Sequence, residues 1–175
     1  METYRLLCHP ECPAKNVRAI TVEAIRNGNA LTLTYRVDCA ADLLALPLSV
    51  APERTDGLWQ HTCFEAFISN GEGGYAEFNF SPSGQWAAYD FDGYRSGMCN
   101  RGTPAPLIDF QADQAGVRLN AMIDLSGLSG ALSLTAVIEE ADGTKSYWAL
   151  NHAEGKPDFH HPACFAAKLP APGEA

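Results

Sequence analysis

Arg54-Thr55-Asp56-Gly57-Leu58-Trp59-Gln60-His61-Thr62-Cys63-Phe64-Glu65-Ala66-Phe67-Ile68 runs a tryptophan-bearing loop straight into a strand. From His61 onward, period-2 alternation places His61, Cys63 and Glu65 on one face and Thr62, Phe64, Ala66 and Ile68 on the other. A face that carries a carboxylate and an imidazole has to meet water, a ligand or hydrogen-bonding partners, because an unpartnered polar group is costly to bury. The pattern predicts a strand packed on one side and a binding surface on the other.

The next two segments repeat the arrangement. Tyr75, Glu77, Asn79 and Ser81 alternate against Ala76, Phe78 and Phe80, and Pro82-Ser83-Gly84 then turns the chain into Gln85-Trp86-Ala87-Ala88-Tyr89-Asp90-Phe91. Asn70-Gly71-Glu72-Gly73-Gly74 and Pro82-Ser83-Gly84 are hairpin punctuation. Three antiparallel strands paired in order would bury Phe64, Ile68, Phe78 and Phe80. The opposite face would carry Glu65, Glu77 and Asn79 with either Tyr89 or Trp86.

Working outward, Val17–Arg26 and Ala30–Asp38 flank Asn27-Gly28-Asn29 as a hairpin, with Ile20, Val22, Ala24 and Leu31, Leu33, Tyr35, Val37 alternating toward a core. Met1–Cys8 reads as a short strand. Further strands are predicted over Leu107–Ala112, Gly116–Ile123, Ala131–Glu140, Lys145–Asn151 and Cys164–Leu169, with one or two helical turns near Ala40–Leu46, room for another turn in Asp124–Gly130, and Leu43–Ala51 as a loop or short edge segment. No stretch reads as a long amphipathic helix. Short strands separated by Gly, Pro, Asn and Asp turns predict an all-β, antiparallel β-sandwich spanning residues 1–170 as one domain, followed by a flexible tail over 171–175.

Composition narrows the function. A formal charge of −9, with eight Arg and four Lys scattered along the chain, argues against nucleic acid and anionic lipid as partners. No run approaches the ~20 apolar residues of a spanning helix, so no membrane association is expected. The N-terminus lacks the charged and apolar pattern of an export signal, which predicts a cytoplasmic protein with six reduced cysteines.

Several ordered motifs carry a family resemblance. Leu58-Trp59, Cys63-x-Glu65-x-Phe67, Glu77-Phe78-Asn79-Phe80-Ser81-Pro82-x-Gly84 and Ser146-Tyr147-Trp148-Ala149-Leu150 resemble the DOMON-like superfamily, in its branch similar to type 9 carbohydrate-binding modules. The resemblance covers Tyr4 to Leu169 and implies a jelly-roll-like sandwich. Type 9 modules clasp a sugar end between two tryptophans, one of them six residues before a strand glutamate, as Trp59 stands before Glu65. The resemblance puts the second tryptophan at Trp148. His61 and Thr62 occupy positions where many relatives place acidic residues, so the carboxylates that would support a metal there are absent.

The expected function is non-catalytic binding of a saccharide or sugar-like small molecule. A sugar ring offers an apolar C–H face to an aromatic plane, while its hydroxyls need carboxylates, amides and guanidinium groups. Trp59 and Trp148 are therefore expected to stack, Glu65, Glu77 and Asn79 to hydrogen-bond hydroxyls beside His61, and Arg54 or Arg95 to close the rim. No Gly-x-Ser-x-Gly elbow, phosphate loop or dinucleotide fingerprint points to an enzyme, and no cofactor is expected. A stand-alone copy with reduced cysteines also fits an intracellular metabolite or a regulatory protein partner.

Three alternatives remain from the same residues. Some DOMON domains hold haem b between Met and His, for which Met98, Met122, His61 and His152 are available. The segment His152–Cys164 gathers three histidines, Asp158 and Cys164, donor types that zinc prefers, at a spacing that matches no standard zinc signature. Glu65 and Glu77 on neighbouring strands offer the paired carboxylates of a glycoside hydrolase.

Overall fold

The alternation in the sequence becomes strand register. The computed structural model describes residues 1–172 and contains twelve strands: β1 Glu2–Cys8, β2 Ala19–Asn27, β3 Ala30–Asp38, β4 Cys63–Ser69, β5 Tyr75–Phe80, β6 Trp86–Phe91, β7 Cys99–Asn100, β8 Leu107–Asp113, β9 Gly116–Asp124, β10 Ala131–Glu139, β11 Lys145–Ala149 and β12 Ala167–Lys168. Helical structure among the described residues is confined to three 3-10 turns, Ala41–Leu43, Leu58–Gln60 and Pro162–Cys164. Gly173, Glu174 and Ala175 of the expected tail lie outside the described residues.

The twelve strands pair with one another antiparallel throughout, and the main path runs β7-β6-β5-β4-β10-β11-β1-β2-β3-β9-β8, with β12 beside the start of β10. Strand β1 belongs to both halves: Glu2–Leu6 pair with β2, while Leu7 and Cys8 pair with Ala149 and Trp148 of β11. The curled sheet thereby becomes the two layers of a β-sandwich. Ile20, Val22 and Ala24 of β2 and Leu31, Leu33 and Tyr35 of β3 face Phe64, Ala66 and Ile68 of β4, with Phe78, Phe80, Leu132 and Leu134 beside them. Burying these side chains is the main stabilising term, at roughly 1.5–3 kcal/mol for each large one. Tyr35 crosses between layers and donates its hydroxyl to the Glu65 carbonyl at 2.7 Å.

The three central strands take the predicted register, with Glu65 opposite Asn79, Phe67 opposite Glu77, and Glu77 opposite Tyr89. Tyr89 rather than Trp86 joins the carboxylate face. Trp86 turns inward, where Arg54 stacks its guanidinium 4.3 Å from the ring centroid. Cys164–Leu169 is not one strand, because Pro162 starts a 3-10 turn through Cys164 and only Ala167 and Lys168 pair with β10. The two-residue β7 carries no periodic signal.

Candidate functional site

The outer face of β4, β5, β6, β10 and β11 is the floor of a cavity of about 680 Å³. The pleat that sends Phe64, Phe78 and Trp148 into the core lifts Glu65, Phe67, Glu77, Tyr89, Phe91, Val137 and Tyr147 into this space. Two loops wall it. Gly57, with φ at 77°, takes a left-handed conformation that a side chain would strain, and starts the 3-10 turn that presents Trp59. Trp59 is 42% exposed and meets Tyr89 edge to face at 6.4 Å between ring centroids.

The opposite wall is the long segment after β11, which folds back over the sheet and brings in Pro157, Phe159 and His160. Asp158 anchors it by accepting from Arg95 Nη2 at 2.7 Å and from the Tyr94 hydroxyl. Arg95, itself left-handed at φ 51°, lines the rim from the β6–β7 loop. Phe67, Tyr75 and Phe91 surround the His160 ring, all with centroids within 5.8 Å.

Glu65 and Glu77 are 2% and 5% exposed, and among the described residues no Lys or Arg forms an ion pair with either. Glu65 Oε2 accepts from the Thr135 hydroxyl at 2.9 Å, and Glu77 Oε1 from Asn79 Nδ2 at 2.8 Å. Burial raises both carboxyl groups well above the ordinary carboxylate range. The neighbouring Glu77 charge raises Glu65 further, whereas the Thr135 and Cys63 side chains oppose its shift; Asn79 and then Arg95 oppose that of Glu77.

His160 Nε2 stands 3.8 Å from Glu77 Oε2. Burial, with the Arg95 charge second, pushes its pKa down to about 4, so the ring is neutral at neutral pH. Its tautomer follows from the partners of the other nitrogen. The Arg95 amide donates to the Tyr75 hydroxyl at 3.3 Å, and that hydroxyl lies 2.8 Å from His160 Nδ1. We assign the Tyr75 hydroxyl as the donor and Nδ1 as the acceptor, which puts the ring proton on Nε2, directed at the cavity.

Of the residues expected at the site, Trp59, Glu65, Glu77 and Arg95 line the cavity, and Asn79 lies beneath it, holding Glu77. Trp148 is a correction. It is 5% exposed inside the sandwich, with its indole N–H donating to Ser146, because the odd-numbered neighbour Tyr147 takes the cavity side of β11. Arg54 is a second correction, since it donates to the carbonyls of Ala88 and Arg101 beside Trp86 rather than closing the rim. His61 is a third: it precedes the first paired residue of β4 and turns out to solvent, where it meets Glu139 at 2.7 Å.

The donors grouped for haem or zinc are dispersed. Met98 lines the cavity rim, but Met122 sits on β9 in the other layer, and His152 contacts the Leu7 carbonyl at 2.8 Å. His160 enters the cavity while His161 caps the 3-10 turn at Ala163. Among the described residues no three His, Cys, Asp or Glu side chains converge as metal ligands.

Sequence reasoning passes over Phe67, Phe91 and Tyr147, although each follows from the alternation that places Glu65 and Tyr89. Phe159 and His160 carry no periodic signal, because they lie in a segment whose return over the sheet is set by tertiary contacts.

No family model and no curated protein matches this chain. Among solved structures it is similar to a "putative carbohydrate-binding protein" from Bacteroides uniformis, with 15% identity over 93% of this chain and 83% of that one, at a TM-score of 0.64. At that identity the likeness is one of fold, and it agrees with the antiparallel sandwich seen here.

Proposed function

We propose that this protein is a saccharide-binding module that holds its ligand without transforming it, and that it is a DOMON-like domain of the type 9 carbohydrate-binding kind. The observation that carries the reading is the composition of the cavity. Trp59, Tyr89 and Tyr147 offer ring surface, and Glu65, Glu77, His160 and Arg95 offer hydrogen-bonding groups on the same concave face. Its volume of about 680 Å³ falls within the roughly 300–1,000 Å³ common for small-ligand sites. The fold shared with the "putative carbohydrate-binding protein" supports it.

A panel of mono- and oligosaccharides tested by thermal shift and then by isothermal titration calorimetry is the direct test. Saturable binding of one sugar that is weakened in Trp59→Ala supports the proposal. A null result across the panel sinks it.

The buried carboxyl pair favours one second reading, a glycoside hydrolase in which a protonated Glu65 serves as acid. Turnover of a glycoside by the wild type, lost in Glu65→Gln while the sugar still binds, would establish that reading instead.

A further inference from the structure

The charge balance of the cavity says more about the ligand than the presence of rings and hydroxyl partners does. Its basic groups are already matched at the rim: Arg95 by Asp158, and Lys145 by Glu139 and the Gln60 carbonyl. The floor is not matched. Glu65 and Glu77 are diagonal neighbours across β4 and β5, hydrogen-bonded by the neutral donors Thr135 and Asn79, and Arg95, already paired with Asp158, reaches Glu77 only as a more distant charge. His160, the nearest nitrogen base, is held neutral, and the phenols of Tyr89 and Tyr147 are pushed upward by burial and stay protonated.

Buried carboxylates without a cation are expensive, and a bound cation removes that cost while gaining charge-assisted hydrogen bonds. The surrounding wall suits the same charge. Phe67, Tyr89, Phe91, Tyr147, Phe159 and Trp59 line the same cavity as the carboxyl pair, and aromatic faces attract ammonium groups. A neutral hydroxyl can hydrogen-bond the pair but gains no ion pair from it.

We infer that the saccharide held in this cavity carries a protonated amine, so that the ligand class is the amino sugars. The inference rests on the saccharide reading above. The ammonium would sit between Glu65 and Glu77, with the sugar's hydroxyls reaching His160 and Arg95. Ionising the pair to receive it expels any proton the pair holds, so binding releases protons into the buffer.

Calorimetry on the wild-type protein at neutral pH tests this with matched triplets: glucosamine, N-acetylglucosamine and glucose, and the corresponding galacto and manno sets. One free amine is expected to bind at least about tenfold tighter than both its N-acetyl form and its neutral parent, the difference one charge-assisted contact supplies. Its apparent enthalpy should differ between phosphate and Tris, reporting proton release. Glu65→Gln and Glu77→Gln should each abolish the preference, and if either fails to fold, the wild-type comparison decides alone. A neutral or N-acetylated sugar bound as tightly as its amine defeats the amine inference and leaves the saccharide reading standing. Failure of every sugar in every triplet defeats both.

Discussion

The Tyr75 hydroxyl lies 2.8 Å from His160 Nδ1 and so fixes which nitrogen of that ring faces Glu77. The contact joins β5 to the returning segment after β11, two elements 85 residues apart in sequence. Site geometry therefore depends on a hydrogen bond outside the cavity's polar floor.

Tyr75→Phe removes the donor and leaves the ring packing against Phe91 in place. His160 should then populate both tautomers, read from its ring ¹⁵N shifts. Ligand affinity should fall about three- to tenfold and stability by about 1 kcal/mol, the net value of one hydrogen bond.

Trp59 and Trp148 should respond in opposite ways. Trp59→Ala is expected to weaken saccharide binding about ten- to a hundredfold with little change in unfolding midpoint, because the ring is loop-borne and half exposed. Trp148→Ala empties part of the inter-sheet core and should cost about 3–5 kcal/mol, measured by urea unfolding. Equal stability losses in the two variants would contradict the placement of Trp148.

The buried carboxyls set the pH dependence of stability. Glu65 and Glu77 have folded pKa values raised above the unfolded carboxylate value of about 4.3, so their contribution is fully present below that value and is lost as pH rises through the raised values. His160 acts with the other sign, since a pKa lowered to about 4 means stability present above the unfolded histidine value and lost as pH falls through the folded one. Glu65→Gln should therefore gain stability relative to wild type as pH rises toward and past neutrality. Urea midpoints across the pH range check this, and parallel curves for the two proteins would refute it.

Gly74 tests the backbone under the cavity. A Cβ there would lie 2.4 Å from the Phe91 carbonyl oxygen, so Gly74→Ala must push β6 away from the hairpin that precedes β5. A loss of about 1–3 kcal/mol is expected in thermal unfolding, the usual cost of overpacking. Chemical-shift changes should centre on Tyr75 and Phe91.

How much of this is legible in the sequence depends on what each residue answers to. The pleat is a local rule, so alternation alone assigns Phe64, Glu65, Phe78 and Glu77 to their faces. The same rule puts Trp148 in the core once the phase of β11 is fixed, but Lys145-Ser146-Tyr147-Trp148 offers large rings on both parities and does not declare that phase. Arg54 and His61 escape it because both lie in the connection between β3 and β4, where alternation has no hold. The segment carrying Asp158 and His160 is positioned by Arg95, Tyr94 and Tyr75, contacts that no local pattern encodes.

Because β1 serves both layers, the path of strands ends at two places, β7 and β8. A two-residue strand is too short to template another chain, so self-association by strand addition at these ends is left with Leu107–Asp113. That edge is guarded. Asp109 and Asp113 set acidic charge along it in a chain already at −9, and a second copy approaching edge to edge would meet the same charges facing it.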